Sequence, residues 1–482
     1  MDQAARAEAK PPLVVDFDGT LAITDSLVDA ILQVLFRSPK HLPQILAALL
    51  KGKFAFKESL VAVGAYRPMS IPLNSDLISY LEQEKAAGRE LHLVSASPRK
   101  IVEAVAERTQ IFNTWEGSGE GVNLKGAAKA RHLQALFPDG FSYAGNDLSD
   151  LEVWQHSRSA VTVTVPASVP RELQRLGIQV ERDFPAPRAG IRNWMRLLRI
   201  HQWSKNALMF VPLMLGHHYA NAAAVADVIL GYLCMGLVAS GTYIINDLSD
   251  LDADRLHATK RRRPLASGAV SVFSATLVAA ALIVAGSVGA LLLDRIFASV
   301  LAAYLFLTVA YSLRLKAIAL LDVFVLGLLF TLRVVMGLAL VGDKLSPWLM
   351  VFSLFFFFSL SMAKRHVEIV RALEKGVTGR VKGRGYLPTD APLTLGLGVA
   401  SSSVAVTLLF LYVANDAFPA GAYKTPEWLW LISPLVFLWT TRIWLKSHRG
   451  RLDDDPIGFA LKDGPSLGLG LAVLGCFLMA IL

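Results

Sequence analysis

The spacing of apolar and polar positions changes character once, near residue 190. Before that point, short apolar runs alternate with segments of helical periodicity; after it, the runs lengthen until each could cross a bilayer. In the first part, Pro12 leads into LVVDFDGTL, a short run that stops at two aspartates and a glycine, as a parallel strand does at its carboxyl end. LHLVSAS at 91–97, SYAGNDLSD at 142–150 and the apolar run at 160–165 repeat the form. Four strands with helices between them predict a doubly wound α/β domain over roughly residues 12–180. Between the first two strands, 25–66 reads as helices around LPQILAALL, placed where a helical cap would cover the strand ends.

PAPRAG at 185–190 is a proline-bearing linker, and the apolar runs beyond it fall at about 205–219, 225–245, 270–293, 296–313, 318–341, 346–363, 392–414, 427–446 and 464–482. The expected fold is therefore two domains: an N-terminal α/β domain over 1–184 with a helical cap, a linker at 185–195, and an all-α membrane bundle of nine transmembrane helices over 196–482. Gly464, Gly468 and the small residues near them predict close helix packing in the last span.

Composition supports a membrane protein. Of 482 residues, 54% are hydrophobic and 18% charged, and the mean hydropathy is +0.45, too apolar for one water-soluble globule. The net charge of +9 resides in the apolar half, which suits loops facing anionic lipid and phosphorylated substrates. No basic groove interleaved with aromatics is present, so nucleic acid is not an expected partner. Cys234 and Cys476 both lie in apolar runs and exclude a disulfide framework. The polar N-terminus MDQAARAEAKPP lacks the pattern of a secretory signal, so the first domain is expected to stay in the cytoplasm. The loops at 247–269, 312–317, 364–391 and 446–463 hold most of the Lys and Arg, whereas the opposite loops carry Arg295, Lys344 and Lys424. By the positive-inside rule the former are cytoplasmic, which predicts a multi-pass protein of a bacterial inner membrane with both sites on the cytoplasmic side.

The chemistry concentrates in YIINDLSDLDADRLHATKRRRPLASG at 243–268. Asn246, Asp250 and Asp254 stand at i, i+4 and i+8 and would share one face of an α-helix, with Asp247 a quarter turn away. Converging carboxylates need a divalent cation between them, for which Mg²⁺ carrying a diphosphate is the natural guest. Lys260, Arg261, Arg262 and Arg263 then supply donors for phosphoryl oxygens, and Pro264 ends the turn. An ordinary basic loop between two spans accounts for the cations but not for the spaced acids. Ionisable residues at the spans add substrate-binding candidates: Lys205 and Asn206 in RIHQWSKN, Tyr311 and Lys316 in YSLRLK, Asp322 and Arg333 inside one span, and Lys364 and Arg365 at the end of another. Snorkelling explains those at the ends singly. Asp322 and Arg333 are three helical turns apart, too far to pair with each other.

Asp16 and Asp18 in DFDGT, Ser95 in LVSAS, Lys129 in GAAKARHL and Asn146–Asp150 in GNDLSD resemble the four ordered motifs of haloacid dehalogenase-type phosphatases. The resemblance implies that Asp16 is a nucleophile, that Asp18 protonates the leaving oxygen and then activates water, and that Ser95 and Lys129 hold phosphoryl oxygens. Lys125 rivals Lys129, although the spacing Gly126-x-x-Lys129-x-x-x-Leu133 favours the latter. Mg²⁺ would meet Asp16, the Asp18 carbonyl and the fourth motif, where Asp150 is catalytic and either Asn146 or Asp147 is the ligand.

Nine spans, NDLSDLDAD and RRRPLASG resemble the UbiA superfamily of intramembrane transferases. RIHQWSKN, YSLRLK, Asp322 in LLDV, and DDDPIGFALKD are similar to its decaprenyl-phosphate phosphoribosyltransferase branch. That branch implies a polyprenyl phosphate whose oxygen attacks C1 of phosphoribosyl pyrophosphate, with Asn246, Asp250 and Asp254 holding Mg²⁺ and Lys260–Arg263 the leaving pyrophosphate. The joined expectation is a bifunctional enzyme that transfers 5-phosphoribose to the lipid and then removes the 5-phosphate. The alternative is transfer of an isoprenoid to an aromatic acceptor beside a regulatory phosphatase-like domain. A homo-oligomer is compatible with either.

Overall fold

The computed structural model describes residues 10–482 apart from 38, 51–55, 57, 58, 61, 63–69, 120–123, 186–189, 345, 382, 419, 420, 422, 453–455 and 461. Most of the PAPRAG linker, part of the expected cap and the acidic start of DDDPIGFALKD lie outside the described residues. The compact units do not follow chain order. One comprises Met1–Leu198 with Asp247–Val278, the other Arg199–Asn246 with Ala279–Leu482.

In the first unit, six parallel strands form one sheet: β1 (Leu13–Val15), β2 (Leu91–Pro98), β3 (Thr114–Ser118), β4 (Ser142–Gly145), β5 (Ser159–Val163) and β6 (Gln179–Phe184), ordered β3-β2-β1-β4-β5-β6. The chain reverses its winding between β1 and β4, and the crevice beyond that pair is where a doubly wound sheet binds its ligand. Strand alternation feeds two cores. Leu13 and Val15 pack with Leu77, Leu81, Ile101 and the cap residues Ala30 and Val34 on one face. Val14 packs with Leu133, Tyr143 and Trp154 on the other. Sequence periodicity predicts four of the strands and misses β3 and β6. Both are edge strands, reading TWEGS and QVERDF, and β6 is largely exposed, so neither carries an apolar run. The expected helical cap is represented by Ser26–Arg37 and Leu42–Leu49.

A buried ion network ties β6 to the sheet. Arg89 donates to Glu181 at 2.8 and 3.0 Å and to Glu84 at 2.8 Å, while Ser142 donates to Glu181 at 2.8 Å. Burial pushes the Glu181 carboxyl up, but the hydrogen bonds from Arg89, Ser159 and Ser142 outweigh it and hold the group at about 2, below its ordinary 4.5. A depressed carboxyl stabilises the fold above its unfolded value and loses that contribution as pH falls through the folded one. Between pH 4.5 and 2 the unit is therefore expected to lose thermal stability, and Glu181→Gln should flatten that dependence and lower the melting temperature at pH 7. Melting curves of the two proteins at stepped pH check this; parallel curves would remove the assignment.

In the second unit and the adjoining loop, eight helices among the described residues are long and apolar enough to cross a membrane: Ala222–Ser249, Val272–Leu293, Arg295–Leu313, Leu321–Val341, Pro347–Glu374, Pro388–Ala417, Pro426–His448 and Gly464–Ile481. Side-chain caps set several starts. Asp294 accepts from the Phe297 N–H at 2.7 Å, and Ser346 accepts from Leu349 at 3.2 Å with Pro347 as the first helical residue. The first of the nine expected spans differs in kind. It is a 3₁₀ stretch, Ile200–Met209, running into a short α-helix, Phe210–Leu215. Neither segment is long and apolar enough to cross a membrane by itself, so eight of the nine expected spans are found among the described residues. The close packing of the 3₁₀ stretch rests on Gly337, where a Cβ would lie 2.0 Å from the Met209 carbonyl oxygen. Among the described residues, a Cβ at Gly464 or Gly468 would meet nothing within 4 Å, so the close packing expected there is not found. Gly398, whose added Cβ would lie 2.0 Å from the Trp444 ring, is instead a point of tight helix contact.

Candidate active sites

At the switch point of the sheet, the loops after β1, β2 and β4 converge. Lys129 Nζ lies 2.7 Å from Asp16 Oδ1 and donates to Tyr143 Oη at 2.9 Å; Lys125 is exposed. Asp18 is held from two sides, accepting the Ser26 N–H at 2.8 Å on one oxygen and the Ser97 hydroxyl on the other. Burial, reinforced by the charge of Asp25, pushes the Asp18 carboxyl up, the direction a proton donor needs. Ser95 is buried and its Oγ accepts the Ser97 N–H at 3.2 Å.

The fourth motif divides its labour. Asp150 accepts the N–H groups of Asn146 and Asp147 at 2.9 and 3.0 Å and the Tyr143 hydroxyl at 3.0 Å, so it shapes the loop. Burial, then the charge of Asp16, pushes its carboxyl up. Asp147 turns back onto its own helix, accepting from the Leu148 N–H at 2.7 Å. Asn146 reaches the first motif, where its Oδ1 accepts from Thr20 at 3.2 Å. Gly19 has φ +74°, and a Cβ there would lie 2.1 Å from Asn146 Nδ2, so the turn and the close approach both require glycine. Asp16 is thus paired with Lys129, and the Asn146 amide meets the same motif at Thr20.

The aspartate-rich loop departs from the expected continuous helix. Ala222–Ser249 ends before Asp250, which has φ −92° and ψ 2°, and a separate turn, Leu251–Arg255, follows. Asn246, Asp250 and Asp254 therefore do not lie along one unbroken helical face. The break brings different partners together. Arg263 Nη1 lies 2.5 Å from Asp254 Oδ2 and 3.2 Å from Asp247 Oδ1, and Lys260 Nζ lies 3.8 Å from Asp254 Oδ1. Asp247 and Asp254 are both buried. Carboxylates and cations thus share this loop, each satisfying the other's charge.

Two polar clusters occupy the second unit. In one, Asp322 pairs with Arg365 at 2.8 Å and accepts from Tyr386 Oη at 2.7 Å. Arg365 also donates to Glu368, and Arg384 donates to Tyr311 Oη and to the Lys316 carbonyl at 3.4 Å each. The predicted Tyr311, Lys316, Asp322 and Arg365 thus meet, together with Glu368, Arg384 and Tyr386. In the other, Arg333 donates to Asn206 Oδ1 at 3.0 Å, to the Leu329 carbonyl at 2.6 Å and to Tyr304 Oη at 3.0 Å. Protein groups thereby satisfy Arg333 within the apolar bundle. Near the ends of the helices, an apolar cavity of about 500 Å³ is lined by residues including Phe210, Leu349, Tyr412, Leu429 and Phe477.

The profile of the UbiA prenyltransferase family matches residues 209–462, more than half of the chain. The chain belongs to this family. Residues 13–154 match the haloacid dehalogenase-like hydrolases, so the UbiA part follows a phosphatase-type domain in one polypeptide. An uncharacterised protein of Sinorhizobium fredii, y4nM, is 43% identical over 474 residues, covering 98% of this chain and 92% of that protein. Nodulation protein NoeC of Azorhizobium caulinodans is 33% identical over 58% of this chain and 91% of its own length. The decaprenyl-phosphate phosphoribosyltransferase of Mycobacterium tuberculosis is 31% identical over 56% of this chain and 87% of its length.

Sequence reasoning missed Ser97, Tyr143 and Tyr386. Ser97 follows Ser95 by two residues on β2, so the strand period alone could have placed it beside Asp18's loop. Tyr143 stands between two core positions of β4 and reads as packing, whereas Tyr386 of the UbiA part lies in a loop with no periodicity to mark it.

Proposed function

We propose that the UbiA part transfers 5-phosphoribose from phosphoribosyl pyrophosphate to a polyprenyl phosphate, and that the N-terminal part then removes the 5-phosphate to give polyprenyl-phosphoryl ribose. The observation that carries this reading is the Asp247–Arg263–Asp254–Lys260 arrangement, which gathers buried carboxylates and cations for phosphoryl oxygens in one loop. Similarity to the mycobacterial phosphoribosyltransferase supports the choice of sugar donor. Both sites offer oxygen donors in small sets that substrate phosphates would complete, the manner in which Mg²⁺ is usually bound. Asp250 and Asp254, with Asn246 one turn earlier, are the proposed ligands in the loop; Asp16 and Asn146 are those at the sheet, Asn146 being preferred to Asp147 because it faces the first motif. When bound, Mg²⁺ supplies charge neutralisation of the phosphoryl oxygens.

In the transfer step, the lipid phosphate oxygen attacks C1 of the ribose and the C1–O bond to pyrophosphate breaks. Arg263 and Lys260 take the growing negative charge, together with Arg261 and Arg262. Tyr311, Lys316, Asp322, Lys364 and Arg365, with Lys205, are the proposed substrate-binding residues of the helical part, and Arg333 with Asn206 ties two of its segments together. In the hydrolytic step Asp16 attacks phosphorus, Asp18 protonates the leaving 5-oxygen, and Lys129 and Ser95 hold the phosphoryl oxygens. Asp18 then takes a proton from the water that cleaves the aspartyl phosphate. In this reading both sites lie on the cytoplasmic side of an inner membrane, a location that the Lys- and Arg-rich loops support by the positive-inside rule.

Purified full-length protein incubated with Mg²⁺, phosphoribosyl pyrophosphate and polyprenyl phosphate should release pyrophosphate and inorganic phosphate, and mass spectrometry should find polyprenyl-phosphoryl ribose. Pyrophosphate without inorganic phosphate, with the lipid keeping its 5-phosphate, removes the hydrolytic half. Consumption of a prenyl diphosphate with an aromatic acceptor replaces the transfer half.

A further inference from the structure

The turn Leu251–Arg255 has two sides, and only one faces the cations of its own loop. Asp254 meets Arg263 and Lys260, whereas Asp252 and Arg255 meet the helix Ser26–Arg37 of the phosphatase-type domain. Arg255 binds Asp29 through two nitrogens, at 2.8 and 3.3 Å, with the side chains 3% and 1% exposed. Asp252 Oδ1 accepts from Gln33 Nε2 at 3.0 Å and from Ser70 Oγ at 2.8 Å. Asp29 and Gln33 are four residues apart and share a helical face. At the far end of the loop, a Cβ on Gly268 would lie 2.5 Å from the Ile23 side chain, so the segment from 23 to 33 meets the loop twice.

None of Asp29, Gln33, Ser70, Asp252 and Arg255 belongs to the phosphatase motifs or to the proposed metal ligands. A buried bidentate ion pair and a buried carboxylate with two donors are costly unless every partner is held, which makes this contact specific in register. The same helix begins at Ser26, whose N–H binds Asp18 at 2.8 Å. One helix thus touches the phosphatase acid at its start and the aspartate loop along its side.

We propose that Ser26–Arg37 is a positioning element for the diphosphate loop. Asp29 and Gln33 hold Leu251–Arg255 so that Asp254 and Arg263 are set for a magnesium diphosphate, and the phosphatase-type domain is a structural part of the transferase. The proposal rests on the transferase reading for the identity of the ligand. Its test uses the full chain in detergent with Asp29→Ala, Gln33→Ala and Asp29→Glu. Hydrogen exchange of peptides within 247–268 should rise about 10-fold or more in the two alanine variants, and the Kd for Mg²⁺-pyrophosphate, by calorimetry, should rise by a similar factor. Asp29→Glu should restore most of both, and hydrolysis of p-nitrophenyl phosphate should stay within about 2-fold of the parent. Unchanged exchange in Asp29→Ala and Gln33→Ala overturns the proposal. So does a fall in p-nitrophenyl phosphate hydrolysis that tracks the loss of pyrophosphate affinity, since the helix would then serve folding in general. If the parent binds no pyrophosphate, the transferase reading fails, while the exchange data still decide whether the helix holds the loop.

Discussion

Asp16→Asn is expected to lower release of inorganic phosphate by about 10³-fold or more, because an amide cannot form the aspartyl phosphate. Asparagine is nearly isosteric with aspartate and can still accept from Lys129, now 2.7 Å from Asp16 Oδ1, so the loops after β1 and β4 should keep their places. The 5-phosphorylated lipid should accumulate in the same incubation, with pyrophosphate release unchanged. In the proposed scheme the second site takes the intermediate at high local concentration, so the parent should hold only a trace of it and the variant a large excess. Lipid mass spectrometry and a phosphate assay give the two readings. Undiminished phosphate release would mean that Asp16 is not the nucleophile and that the phosphatase motifs serve another purpose.

What could be read from the sequence follows from where the physical signal is written. Asp16, Asp18 and Asn146–Asp150 stand at the ends of apolar strands, and the sheet brings those ends together at its switch point. The polar edge strands left no such trace. Helical spacing placed Asn246, Asp250 and Asp254 on one face, but the chain breaks at Asp250, and the partner of Asp254 proves to be Arg263, nine residues on. Periodicity describes an unbroken helix and cannot announce a turn that carries neither glycine nor proline. Arg333 was recognisable as a buried charge, yet its partner Asn206 comes from a 3₁₀ segment too short and too polar to read clearly as a span. The contact of Asp29 with Arg255 joins residues more than two hundred positions apart, and no local pattern encodes it.

Asp254→Asn should lower phosphoribosyl transfer by about 10²-fold or more, equivalent to ~2.7 kcal/mol in the transition state, and leave hydrolysis of p-nitrophenyl phosphate intact. Asp254 is buried beside Arg263, with Lys260 close by, so the substitution removes a charge at the point where carboxylates and cations meet. The loss should exceed that of a surface carboxylate because the site is desolvated and the charge is fixed in place. Asp252 and Arg255, on the other side of the same turn, keep their contacts with Gln33 and Asp29, so the loop should remain docked on the N-terminal helix. Asp16 and Lys129 belong to a separate cluster on the sheet and do not touch Asp254, which is why hydrolysis should survive. Rates of pyrophosphate release and of p-nitrophenol formation, measured on one preparation, separate the two sites. Loss of both activities in a protein that still melts like the parent would show that the sites turn over as one, and the two-step scheme would give way to an obligatorily coupled one.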